Sequence, residues 1–163
     1  MSRVGHIVLA WALLLLAAGC GEPGDAGGGT AAVEVGTGEW EFVPLVDGEE
    51  VTLTAGSQGG FHVWTSVRSA GVSTGRVRME ITTTTEGSPF EPEHSDVMVD
   101  MTPADGMAAF LGWPAQLLHP GCADGHIVHL EARVTDRAGV TGHDERDIVV
   151  RWNAPEGVDT SCR

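Results

Sequence analysis

The chain has 163 residues, with 23 acidic side chains against 9 basic ones and a formal net charge of −14, and every basic residue is arginine. Without lysine or a basic patch it has no footprint for a phosphate backbone, which excludes nucleic acid as a partner; the same acidity discourages docking on anionic lipid head groups. The acids are scattered rather than blocked, so the charge serves solubility, and the length beyond the N-terminal segment suits one hydrophobic core, not two.

In chain order, Arg3 is followed by an apolar run over 7–16 that is too short to span a bilayer and has the form of an export signal. The run closes on Leu16, Ala17, Ala18, Gly19 and Cys20, where small residues let a peptidase groove approach the backbone. This closure resembles the lipobox of bacterial lipoproteins, departing from it at Ala17, a position usually held by leucine; here Leu16 sits one place earlier. The resemblance implies a signal peptide over 1–19 and lipidation of Cys20, with acyl chains on its sulfur and often on the new amino terminus. The alternative is an ordinary secretory signal with an incidental cysteine. Two or three acyl chains, at about 0.8 kcal/mol per buried methylene, would hold the protein on a membrane without spanning it. By the same resemblance, Gly21 in place of an aspartate favours the outer over the inner membrane of the cell envelope.

Residues 21–39, GEPGDAGGGTAAVEVGTGE, are rich in glycine and acids and read, with Cys20, as a flexible tether. As a Gly-rich coil such a segment reaches roughly 25 Å. From residue 40 the pattern changes to short β-branched and apolar runs separated by Gly, Pro, Asp and Ser, so 40–163 is expected to form one domain. Strands are expected at 40–44, 50–54, 61–68, 76–84, 95–101, 127–135 and 147–152. Period-two alternation turns inward Val51 and Leu53; Phe61, Val63 and Val67; Val77, Met79 and Ile81; Val97, Val99 and Met101; Val128, Leu130, Ala132 and Val134; and Ile148, Val150 and Trp152. An eighth strand at 107–113 is expected within the stretch 102–125, whose length marks a missed element or a functional loop. The expected fold class is all-β: an antiparallel β-sandwich of about seven or eight strands.

The stretch 125–152, GHIVHLEARVTDRAGVTGHDERDIVVRW, resembles the final hairpin of bacterial immunoglobulin-like domains. There a strand ending Val-Thr-Asp leads through a Gly-containing turn to a closing strand; Val134, Thr135, Asp136 and Gly139 match. The resemblance implies an immunoglobulin-like fold and names no function.

Candidate chemistry is sparse. The run 56–64, GSQGGFHVW, places His62, Trp64 and Arg68 on the strand face opposite Phe61 and Val63, as a possible binding surface of aromatic and cationic side chains. Alternatively Trp64 belongs to the core, and the glycines serve a turn or bulge. His119, Cys122, His126 and His129 carry metal-ligand atoms, but His126 and His129 fall on opposite strand faces, and Cys122 has a better use. Asp136, Asp144, Glu145 and Asp147 lack calcium-loop spacing, and Glu91, Glu93, His94 and Asp96 sit in a Pro-containing loop. Hydrolase, metalloprotease and phosphate-loop signatures are absent, so neither a catalytic residue nor a cofactor or metal is expected. With one cysteine claimed by lipid, Cys122 and Cys162 are expected to pair as a disulfide in an oxidising compartment. The expected function is a non-enzymatic binding or assembly module at the envelope, whose partner is an envelope protein or glycan. The alternative is a periplasmic metal-binding protein or hydrolase using His119, His126 and His129.

Overall fold

Runs of alternating apolar and polar residues become paired strands along most of the chain in the computed structural model, which describes residues 28–57, 59–156 and 160–162. The signal segment, Cys20 and the first part of the expected tether lie outside the described residues. In order, the strands are β1 (Ala32–Thr37), β2 (Val43–Pro44), β3 (Glu50–Thr52), β4 (Thr54–Ala55), β5 (Phe61–Ala70), β6 (Gly75–Thr85), β7 (Glu93–Ala104), β8 (Met107–Gln116), β9 (Ile127–Thr135) and β10 (Thr141–Arg151). A short helix, α1 (Pro120–Ala123), precedes β9. The fold is all-β.

The strands form a single curled path, β2-β1-β5-β8-β7-β6-β9-β10-β3, with β4 paired to β5 off that path. β7 carries the curl: its first part, through Met101, pairs with β6, and its end, Thr102 to Ala104, pairs with β8. At the other side the start of β1 approaches the start of β10, where Ala31 N–H donates to the Thr141 carbonyl at 2.8 Å and Thr141 N–H to the Gly29 carbonyl at 3.0 Å. Two faces of the curled sheet thus close on one core, an arrangement compatible with a β-sandwich. That core holds the expected inward residues, among them Val63 and Val67 from one side and Val77, Met79, Leu130 and Ile148 from the other. Each fully buried side chain of this size contributes roughly 1.5–3 kcal/mol over its exposed state.

Four expectations need correction. Residues 32–37, assigned to the tether, form β1, and Val35 is 0 % exposed opposite Val67. Two alternating valines suffice there because β5 supplies the pairing edge and the core surface. The expected strand at 40–44 shrinks to Val43–Pro44, because Gly38 takes φ +106° and turns the chain, leaving Trp40 82 % exposed. The expected strand at 50–54 divides into β3 and β4, on different parts of the sheet. Leu53 is buried at the crossing and donates its N–H to the Arg151 carbonyl at 2.8 Å. Finally, the sheet is mixed rather than wholly antiparallel and has ten strands, since β3 runs parallel to β10. The connection from β2 reaches that parallel register through Gly48 N–H, which donates to the Asp147 carbonyl, and Asp47, which accepts from Asp147 N–H.

The stretch 102–125 is largely strand. β8 carries an extra residue opposite β5: Thr65 faces Trp113 and Val67 faces Phe110, so Leu111 and Gly112 oppose Ser66 alone. Gly112 takes φ +68°, and a Cβ there would lie 2.4 Å from the Glu39 carbonyl oxygen. Cys122 and Cys162 are joined by a disulfide that holds the C-terminal tail against α1, where a Cβ on Gly121 would meet the Thr160 carbonyl oxygen at 2.5 Å.

Candidate binding pocket

On the outward face of β5, strand pairing assembles two rows of side chains. Thr54, His62 and Gln116 are register partners across β4, β5 and β8; two residues further along β5, Trp64 partners Pro114. With strands about 4.8 Å apart and alternate residues about 7 Å apart, the rows make a platform roughly 10 Å by 7 Å. The glycine-rich connection from β4 to β5 borders it. Gly56 N–H donates to the Gly60 carbonyl at 2.7 Å, and Gly59, with φ +87°, completes the turn. The result is an open pocket of about 660 Å³ lined by Thr54, Ser57, His62, Trp64, Pro114 and Gln116 together with neighbouring backbone.

The pocket lies where β5 changes partner. β1 pairs with β5 from Thr65 to Ala70 and β4 pairs with it at Phe61 and His62, so on this edge Val63 and Trp64 fall between the two partner strands. Thr37 Oγ1 donates to the Trp64 carbonyl at 2.7 Å across that gap. His62 is 8 % exposed and packs edge-on against the Trp64 ring, with centroids 4.4 Å apart. Burial pushes the His62 imidazole below its ordinary value, with Glu39 partly opposing, so the ring is neutral at physiological pH. Its Nε2 is enclosed without a hydrogen-bond partner among the described residues. Trp64 is half-buried, its ring orientation fixed by His62 while part of it faces the pocket. Phe61, one residue before His62 and on the opposite face, packs edge-on to Trp152 at 5.2 Å.

Among the described residues of the lining, His62 is the one titratable side chain; carboxylate, guanidinium and thiol are absent. Such a surface can stack and hydrogen-bond a neutral ligand.

Of the three residues expected to form a binding surface, the structure brings His62 and Trp64 together and sets Arg68 apart. Ser66 lies between them, wholly buried, donating to the Gly38 carbonyl at 2.7 Å and accepting from Gly112 N–H at 3.1 Å. That clip draws the β1–β2 turn and the β8 bulge over the middle of β5. Arg68 is paired with Glu34 at 2.7 Å and lies over the Phe42 ring at 4.3 Å, beside a separate pocket of about 330 Å³.

The histidine-rich segment disperses. His119 stacks on Phe90, His126 is exposed just before β9, and His129 pairs with Asp147 on the outer face of the sheet. Cys122 is taken by the disulfide, and among the described residues no three His, Cys, Asp or Glu side chains are grouped to hold a metal ion. The acidic residues have structural partners instead: Asp144 accepts from Val35 N–H at 2.8 Å, Glu93 from Leu118 N–H at 3.1 Å, and Asp96 from Arg78 at 2.6 Å.

Sequence reasoning did not find Thr54, Pro114 or Gln116. Their places follow from the β4–β5 and β5–β8 registers, which no local pattern announces. No protein-family model matches the chain, and no curated protein matches it.

Proposed function

We propose that the protein is a lipid-anchored envelope lipoprotein with an immunoglobulin-like β-sandwich, acting as a non-enzymatic binding module through the pocket over His62 and Trp64. The observation that carries this is the pocket itself: an open concavity with an aromatic floor and neutral polar groups around it. Its placement fits an anchored module. β1 begins beside Ala70, at the far end of β5 from Phe61, so the pocket stands roughly 25 Å from the point where an N-terminal tether would join the sheet. The hairpin of β9 and β10, with Asp136 and Gly139 in its turn, supports the immunoglobulin-like assignment. Anchoring rests on the Leu16 to Cys20 closure, and the partner is an envelope protein or glycan.

A crosslinked pull-down from envelopes, run in parallel with the wild-type chain and Trp64→Ala, tests the assignment. A partner captured by the wild type and lost in the variant is the expected result. Equal capture by both would remove the pocket from the account, and no capture would remove the binding module.

A further inference from the structure

The lining of the His62–Trp64 pocket is uncharged in a chain of formal net charge −14. An anionic ligand would find no cation there and would meet the repulsion of the whole molecule. A cationic ligand would find no carboxylate in the lining to replace its lost hydration. What the lining offers is a tryptophan ring held by an edge-on imidazole, proline beside it, and neutral donors and acceptors on Thr54, Ser57 and Gln116. Glycines at 56, 59 and 60 keep the rim low.

We propose that this pocket binds an uncharged saccharide, with one sugar ring stacked on Trp64 and its hydroxyl rim hydrogen-bonded by Gln116, Thr54 and Ser57. The inference rests on the binding-module reading and names its ligand class. A pyranose presents a flat apolar C–H face and a rim of neutral hydroxyls, which matches one aromatic ring bordered by neutral polar groups at about 5–7 Å spacing. A proline-rich peptide fits less well, because its grooves are built from several aromatic residues, and here Phe61 is turned toward Trp152. The hydrogen-bonding groups also confer selectivity, since a ligand lacking the hydroxyls would leave them desolvated and unpaired.

The test uses the full chain, purified from envelopes in detergent and titrated with neutral oligosaccharides of glucose and of N-acetylglucosamine, followed by tryptophan fluorescence and calorimetry. Oligogalacturonate and a polyproline peptide are the comparators. Saturable binding of a neutral oligosaccharide is expected, weakened about tenfold or more by Trp64→Ala and by Gln116→Ala and unchanged by Arg78→Ala on the remote outer face. Trp64→Phe, which keeps an aromatic platform, is expected to retain part of the affinity and guards against misfolding of the alanine variant. The proposal is overturned by absence of binding across the neutral panel, by binding indifferent to Trp64 and Gln116, or by equal or tighter binding of the acidic sugar or the peptide. If neutral sugars fail while envelope capture still depends on Trp64, the ligand class is wrong and the binding module stands; if both fail, both fall.

Discussion

Asp136 ties two turns of the fold with one carboxylate, and its removal has a calculable consequence. The residue is 7 % exposed; Oδ1 accepts from Ala138 N–H at 2.9 Å and Val140 N–H at 3.0 Å, and Oδ2 from Ser73 N–H at 3.2 Å and Ser73 Oγ at 3.0 Å. The first pair shapes the β9–β10 turn, and the second fastens the β5–β6 turn to it. Hydrogen bonds to an ionised acceptor are each worth about 1.5–3 kcal/mol and are not additive, and water can reach part of the vacated site. Asp136→Ala is therefore expected to cost about 2–4 kcal/mol, and Asp136→Asn, which keeps one acceptor oxygen, about half as much. Burial alone would raise the Asp136 carboxyl, but the hydrogen bonds from Ser73, Val140 and Ala138 outweigh it and hold the group below the ordinary value of 3.8. A lowered folded-state value stabilises above the unfolded-state value, and that contribution is lost as pH falls through the folded one. The gap between wild type and Asp136→Ala should be full at pH 7 and shrink below about pH 4. Urea unfolding followed by tryptophan fluorescence at pH 7 and pH 2.5 measures both effects. A variant within about 0.5 kcal/mol of wild type at pH 7, or a gap that widens in acid, would refute the clamp.

Thr65→Val is expected to stabilise the protein by about 1 kcal/mol in the same assay, because Thr65 Oγ1 is enclosed opposite Trp113 without a partner among the described residues; a loss of stability would reveal a partner for that hydroxyl. Gly112→Ala should cost about 2 kcal/mol or more by forcing a Cβ toward the Glu39 carbonyl at positive φ, whereas Gly48→Ala, with open space around it, should cost only the backbone strain. Alkylation without reductant should leave Cys122 and Cys162 unmodified by mass, and breaking a bond of sequence separation 40 should lower stability by about 4 kcal/mol on the chain-entropy model. Two alkylated cysteines at those positions in protein from envelopes would contradict the bond.

β9 was legible because it alternates without interruption, Val128, Leu130, Ala132 and Val134 inward against His129, Glu131 and Arg133 outward, and ends at an Asp and Gly turn. β8 was hard to read for the opposite reason. Its bulge puts Phe110 and Trp113 on the same inward side, so a period-two reading loses phase between them. β1 was hidden in a Gly-rich segment where two valines carry the whole signal, and the parallel pairing of β3 with β10 depends on a crossing that only the folded chain defines. Within the pocket, alternation along one strand sufficed to put His62 and Trp64 on a shared face. It also put Arg68 there, and the separation of Arg68 from the other two arises from Ser66 and the turn and bulge it binds, which come from distant parts of the chain.

Tryptophan oxidative footprinting of the protein in isolated envelopes and after purification asks most directly whether the pocket is occupied where the protein works. Trp64, at the pocket floor, should be protected in envelopes and become more reactive on purification, while Trp40, 82 % exposed on a turn outside the lining, should react alike in both. Equal modification of Trp64 in the two states would contradict a binding role for the pocket.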